Sequence, residues 1–177
     1  MFEQYALFGL LIQKCNGTIV GRKKLQKMAY IAQILGYPIK ERFSFHIYGP
    51  YSLELSGNLM RMQELNLINE YREGNSYIIE LTETGDSFSN NFRDIIINKM
   101  GKNKFKQMEK VIQKLHTYDA WQLEILATLL YFRDVEQRDP TILEGVVKNI
   151  KPKFNPEDIH NMSLVMQDLI HEFSIIQ

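Results

Sequence analysis

The stretch GRKKLQKMAYIA, Gly21 to Ala32, places Arg22, Lys23, Lys24 and Lys27 within two helical turns of one another. Guanidinium and ammonium groups at this density recognise phosphate or carboxylate, so the chemistry in reach is anion binding. At ~100° per residue, Lys23, Lys24 and Lys27 fall on one side of a helix and Arg22 lies nearer its boundary. Leu25, Met28 and Ala32 take the opposite side. The cationic side is therefore expected to face solvent. No acid stands four residues away within the helix to offset the lysines, so they call for a phosphate or for acids elsewhere in the fold.

A second candidate contact lies at Tyr48-Gly49-Pro50-Tyr51. Glycine lets another backbone approach, proline stiffens the turn, and tyrosines give contact area at low entropy cost. The alternative is a structural turn whose tyrosines pack on the lysine helix. Enzyme patterns are absent from the sequence: there is no glycine-rich phosphate loop and no Gly-x-Ser-x-Gly elbow. One cysteine, Cys15, and four scattered histidines give no metal spacing. His160 and His171 would sit ~16 Å apart along one helix, too far to share an ion. No cofactor is expected, and the sequence is read as non-enzymatic.

These residues must be held by a chain of 177 residues, 45% hydrophobic and 24% charged, with a formal net charge of +0. That composition is globular, and the absence of net charge gives no overall steering toward an anionic polymer. The lone cysteine, the lack of a secretory leader pattern and the lack of a long apolar run set the expectation of a cytoplasmic protein without a membrane partner. Charge is uneven along the chain. Lysines at 99, 102, 104, 106, 110 and 114 face only Glu109 in the same stretch, whereas acids prevail from Asp119 onward. Pairing between these segments is the ordinary expectation.

Periodicity predicts a helix over Phe2–Lys14, stopped by Asn16-Gly17, and a second from about Gly21 to before Gly36-Tyr37-Pro38. Phe43–Tyr48 alternates as a short strand that Gly49-Pro50 is expected to end, with a helix following over roughly Ser52–Asn66. Leu67–Tyr71 and Tyr77–Leu81, joined by Glu73-Gly74-Asn75-Ser76, read as a hairpin, and Thr82 as the N-cap of the next helix. Further helices are expected over Thr84–Lys99, Lys104–Leu115, Asp119–Glu136, Pro140–Asn149 and Pro156–Phe173. The fold class is thus α+β and predominantly helical. A winged helix-turn-helix half over residues 1–86 is followed by a helical bundle over residues 87–177, packed on it or forming a dimer interface. Within the bundle, Trp121 to Phe132 is apolar almost all round, as a central core helix is; homodimerisation through it is the sharper alternative.

In a helix-turn-helix the second helix enters the major groove. Here Ser52–Asn66 offers Ser56, Arg61 and Gln63 to base edges, and the wing tip offers Arg72, but Glu54 and Glu64 make the helix acidic. DNA-binding domains are plainly basic, and this half is close to neutral.

GRKKLQKMAYIAQ, followed by FSFHIYGPYS and a helix ending in LNLINEY, resembles the YwgA-like proteins of Gram-positive bacteria over about Val20–Gly85. A shorter core, Lys24-Leu25-Gln26-Lys27 with Tyr30 and then Tyr48-Gly49-Pro50, is similar to the Panacea (SocA-like) domain. That likeness implies an antitoxin or proteolysis adaptor that grips another protein; neither likeness implies catalytic residues. The leading expectation is a DNA-binding transcriptional regulator, with Arg22, Lys23, Lys24 and Lys27 on phosphates. The alternative is an adaptor that offers the Tyr48–Tyr51 tip and the lysine helix to an acidic protein partner.

Overall fold

A computed structural model describes residues 1–174. The first helix, α1 (Phe2–Lys14), matches its apolar stripe and is buried continuously from Tyr5 to Ile12. Asn16 and Gly17 both take positive φ, 57° and 78°, and turn the chain into a strand, β1 (Thr18–Val20), which the sequence pattern did not announce. Helix α2 (Arg22–Ile34) follows.

Strands β2 (Ser44–His46) and β3 (Gly49–Tyr51) then form a small hairpin. This corrects the expectation that Gly49-Pro50 ends an extended segment. The chain reverses at Ile47-Tyr48, and Gly49–Tyr51 is the returning strand, with Phe45 opposite Pro50 and His46 opposite Gly49. Proline is tolerated because a two-stranded ribbon consists only of edges, where a ladder donor is dispensable.

Helix α3 (Leu53–Glu64) starts at Ser52, whose hydroxyl accepts from the Leu55 amide at 3.1 Å. The expected hairpin is present as β4 (Ile68–Glu73) and β5 (Ser76–Leu81), and β1 completes a three-stranded antiparallel sheet in the order β1-β5-β4. Thr82 caps α4 (Glu83–Met100) by accepting from the Gly85 amide at 2.9 Å.

Helix α5 (Lys102–His116) leads to α6 (Ala120–Asp134), whose start carries the Asp119/Gln122 capping box in full. A single helix was expected over Pro140–Asn149. The chain instead makes a 3-10 turn at Pro140–Ile142 that continues into α7 (Leu143–Ile150), and α8 (Pro156–Ser174) follows.

The fold is α+β and predominantly helical, and one hydrophobic cluster runs through it from Leu7 and Ile31 to Leu126 and Leu169. Helix α6 lies centrally, with Leu123 to Leu130 fully enclosed, and packs on α2, α7 and α8. The core reading therefore holds for Leu123 to Leu130, whereas Trp121, 39% exposed, stays at the surface. Helix α1 lies against α4 so closely that a Cβ added at Gly9 would sit 1.9 Å from Ser89 Oγ. Among the described residues, no helix is long and apolar enough to cross a membrane.

Candidate binding groove

Six of the ten residues singled out from sequence, Arg22, Lys23, Lys27, Tyr48, Tyr51 and Ser56, line one groove with a cavity volume of about 760 Å³. Its walls are α2, the β2–β3 hairpin and α3, with Leu59, Met60 and His46 adding apolar and aromatic surface. The hairpin tip stands out from the protein: Ile47 is 83% exposed and Tyr48 58%. Tyr51 is fixed by a 2.8 Å hydrogen bond to Ser56. Gln26 holds the junction of hairpin and α3, donating to the Ser52 carbonyl at 2.8 Å and accepting from its amide at 2.9 Å.

The cations of α2 do not project freely into solvent, which corrects the helical-wheel expectation. Arg22 alone stays largely exposed. It forms a two-pronged pair with Glu70, at 2.5 and 2.9 Å, and lies 4.0 Å from the Tyr77 ring centroid. Lys23 pairs with Glu124 at 2.9 Å, and Lys24 donates to the His116 carbonyl at 2.6 Å.

Lys27 is 1% exposed and donates to the Pro50 carbonyl at 2.5 Å. Burial is the main reason that its ammonium is lowered from 10.5 to about 8; Glu124 opposes the effect, and Lys151, Lys23 and Lys153 reinforce it. The wheel placed these lysines opposite the apolar stripe correctly. It failed because α6 and the hairpin cover that opposite side as well.

The centre of the arrangement is Glu124 on α6, fully buried and bound by three lysines: Lys23 and Lys153 at 2.9 Å and Lys151 at 3.0 Å. Burial, the largest single influence on this carboxyl, pushes its pKa up. The three lysine hydrogen bonds together outweigh burial and lower it from 4.5 to about 2. Lys151 also donates to the carbonyl of Ile47, tying the loop between α7 and α8 to the hairpin turn.

Above this cluster the Tyr48 ring lies 5.4 Å from Lys23 Nζ and 5.2 Å from Lys153 Nζ, and Lys153 is also 4.8 Å from the Trp121 ring. Glu124, Lys151 and Lys153 were missed from sequence. Glu124 carried a signal nonetheless: it is the only charged residue in the apolar run from Trp121 to Phe132, and a buried acid requires a cationic partner.

Four candidates lie outside the groove lining. Lys24 points to the end of α5. Arg61 and Gln63 are exposed on α3, with Gln63 at 3.5 Å from the Glu70 carbonyl, and Arg72 donates to the Gly74 carbonyl at 3.1 Å. The lysine-rich stretch is partly neutralised across the fold, Lys99 by Glu3 at 2.6 Å and Lys114 by Glu172 at 3.8 Å. Burial pushes the Cys15 thiol up to about 12, as expected of an inert packing residue. No group of three or more potential metal ligands occurs among the described residues.

No protein-family model matches the chain. Over 158 residues it is 31% identical to the uncharacterised protein YwgA of Bacillus subtilis (strain 168), covering 87% of this chain and 89% of that protein.

Proposed function

The chain belongs to the YwgA family, and we propose that it is a non-catalytic binding protein that grips an acidic segment of a protein partner. The observation that carries this reading is the placement of the exposed Ile47-Tyr48 tip beside Lys23 and Lys153, at the mouth of a 760 Å³ groove. Exposed tyrosine and aliphatic side chains supply interface area, and the lysines select for negative charge. Helix α3 adds Leu53 at 75% exposure and Met60 at 61%, surfaces that suit a protein better than a phosphate backbone. An adaptor or antitoxin-like role, of the kind that the Panacea resemblance implies, fits such a site.

A second reading, duplex binding by a winged helix-turn-helix regulator, draws on the order α1-β1-α2-β2-β3-α3-β4-β5, in which the β2–β3 hairpin interrupts the two helices. It requires Arg22 and Lys24 to leave the partners they have, and it uses an α3 that offers only Arg61 as a cation. That places it second.

A displayed peptide library separates the two readings. Wild-type protein is expected to enrich Asp/Glu-rich sequences with interspersed apolar residues, and Tyr48→Ala to lose most of that enrichment. Absence of enrichment over Tyr48→Ala, together with tight duplex binding that falls steeply with salt, reverses the order of the two readings.

A further inference from the structure

Lys23 and Lys27, which line the groove, belong to a dense grouping of charge. Lys23, Lys27, Lys151 and Lys153 surround a single carboxylate, Glu124. The acid that lines the groove, Glu70, is engaged by Arg22. Four ammonium groups against one carboxylate leave a local excess of about three positive charges. Lys27 and Lys151 are 1% and 4% exposed, so solvent screens part of that excess poorly.

Protein acceptors take up only part of the donor capacity in the same place. An ammonium carries three donors. Among the described residues, Lys23 and Lys153 each donate to Glu124, and Lys27 donates to the Pro50 carbonyl. Open donors and unbalanced charge converge beneath Tyr48, whose ring lies close to two of the lysines.

A carboxylate ligand would offset one charge. A phosphomonoester brings a charge of about −1.5 to −2 and three acceptor oxygens. In the remainder of the groove Tyr51, His46, Leu59 and Met60 give apolar and aromatic surface beside the polar Arg22, Gln26, Ser56 and Glu70. We propose that this end of the groove is a binding site for an organic phosphomonoester. The phosphoryl group is seated among Lys23, Lys27 and Lys153, and its apolar or aromatic body lies along the groove toward Leu59 and Met60. Tyr48 covers the seat and contributes to binding. Glu124 positions the lysines and does not touch the ligand.

The inference goes beyond the partner-binding reading and survives its failure, because the phosphoryl group can be carried by a free small molecule or by a phosphorylated side chain. Calorimetric titration of the whole chain with phenyl phosphate, inorganic phosphate and phenol provides the test. A phosphotyrosine peptide and its unphosphorylated form are added to distinguish the sources.

Phenyl phosphate is expected to bind at least tenfold more tightly than either inorganic phosphate or phenol. Lys153→Ala and Tyr48→Ala should each weaken it fivefold or more. Both side chains are exposed enough for the variants to fold, which an unchanged urea midpoint confirms. Tighter binding of the phosphopeptide than of phenyl phosphate identifies a protein source; the reverse identifies a free ligand and removes the partner-segment reading alone. Phenyl phosphate that binds no better than phenol, or equally well to folded Lys153→Ala, overturns the proposal.

Discussion

Replacing Glu124 with glutamine tests whether the buried carboxylate organises the site. Its pKa is lowered from 4.5 to about 2 in the folded protein. At ~1.4 kcal/mol for each tenfold difference in proton affinity, that corresponds to about 3 kcal/mol of stability. Because the folded value lies below the unfolded one, this stability is fully present above about pH 4.5 and is lost as pH falls toward 2.

Glu124→Gln removes it and leaves three lysines around a neutral amide. The expected destabilisation near neutral pH is thus about 3 kcal/mol, at the lower edge of the range for breaking a buried ion pair from one side. Urea unfolding of both proteins at about pH 7, about pH 4.5 and about pH 3 gives the readout. The gap between the proteins should hold over the first interval and shrink to about 1 kcal/mol at the acid end, as the wild type loses its own charge. A gap below about 0.5 kcal/mol at neutral pH, or one that stays constant across the series, refutes the reasoning.

Lys27 gives the complementary alkaline prediction. With its ammonium lowered to about 8, the wild type should gain stability between about pH 8 and about pH 10.5. Lys27→Met should flatten that rise in urea titrations; parallel curves count against the assignment. Gly49 has φ +80°, and a Cβ added there would lie 3.1 Å from Thr128 Oγ1, so Gly49→Ala should cost about 1–3 kcal/mol in chemical unfolding. Cys15, 1% exposed, should react with a thiol reagent only in denaturant, and fast labelling of the native protein would contradict its burial.

Local signals in the sequence were readable where short-range physics decides the structure. The apolar stripe of Phe2–Lys14, the Asp119/Gln122 capping box and the Gly74 hairpin all appear where local pattern and turn chemistry place them. Strand β1 was missed because three residues carry too little alternation to register, and β5 supplies the pairing that makes them a strand. The β2–β3 hairpin was missed because Gly49-Pro50 is strong turn chemistry, and here it is used one position past the reversal. The candidate site was half readable. Tyr48, Tyr51, Arg22, Lys23 and Lys27 do converge, but the acids that face these cations come from β4 and α6, and two further lysines come from the α7–α8 loop. No pattern internal to α2 tells that a helix more than ninety positions onward will cover its lysines.

Lys151 and Lys153 come from the loop between α7 and α8, Lys153 beside Tyr48 and Lys151 reaching back to the carbonyl of Ile47. During synthesis, a chain that has not yet emerged through residue 153 therefore presents α2 and the hairpin without two of the four ammonium groups. Under the proposed reading, a fragment that stops short of residue 153 should bind a phosphomonoester more weakly than the whole chain does.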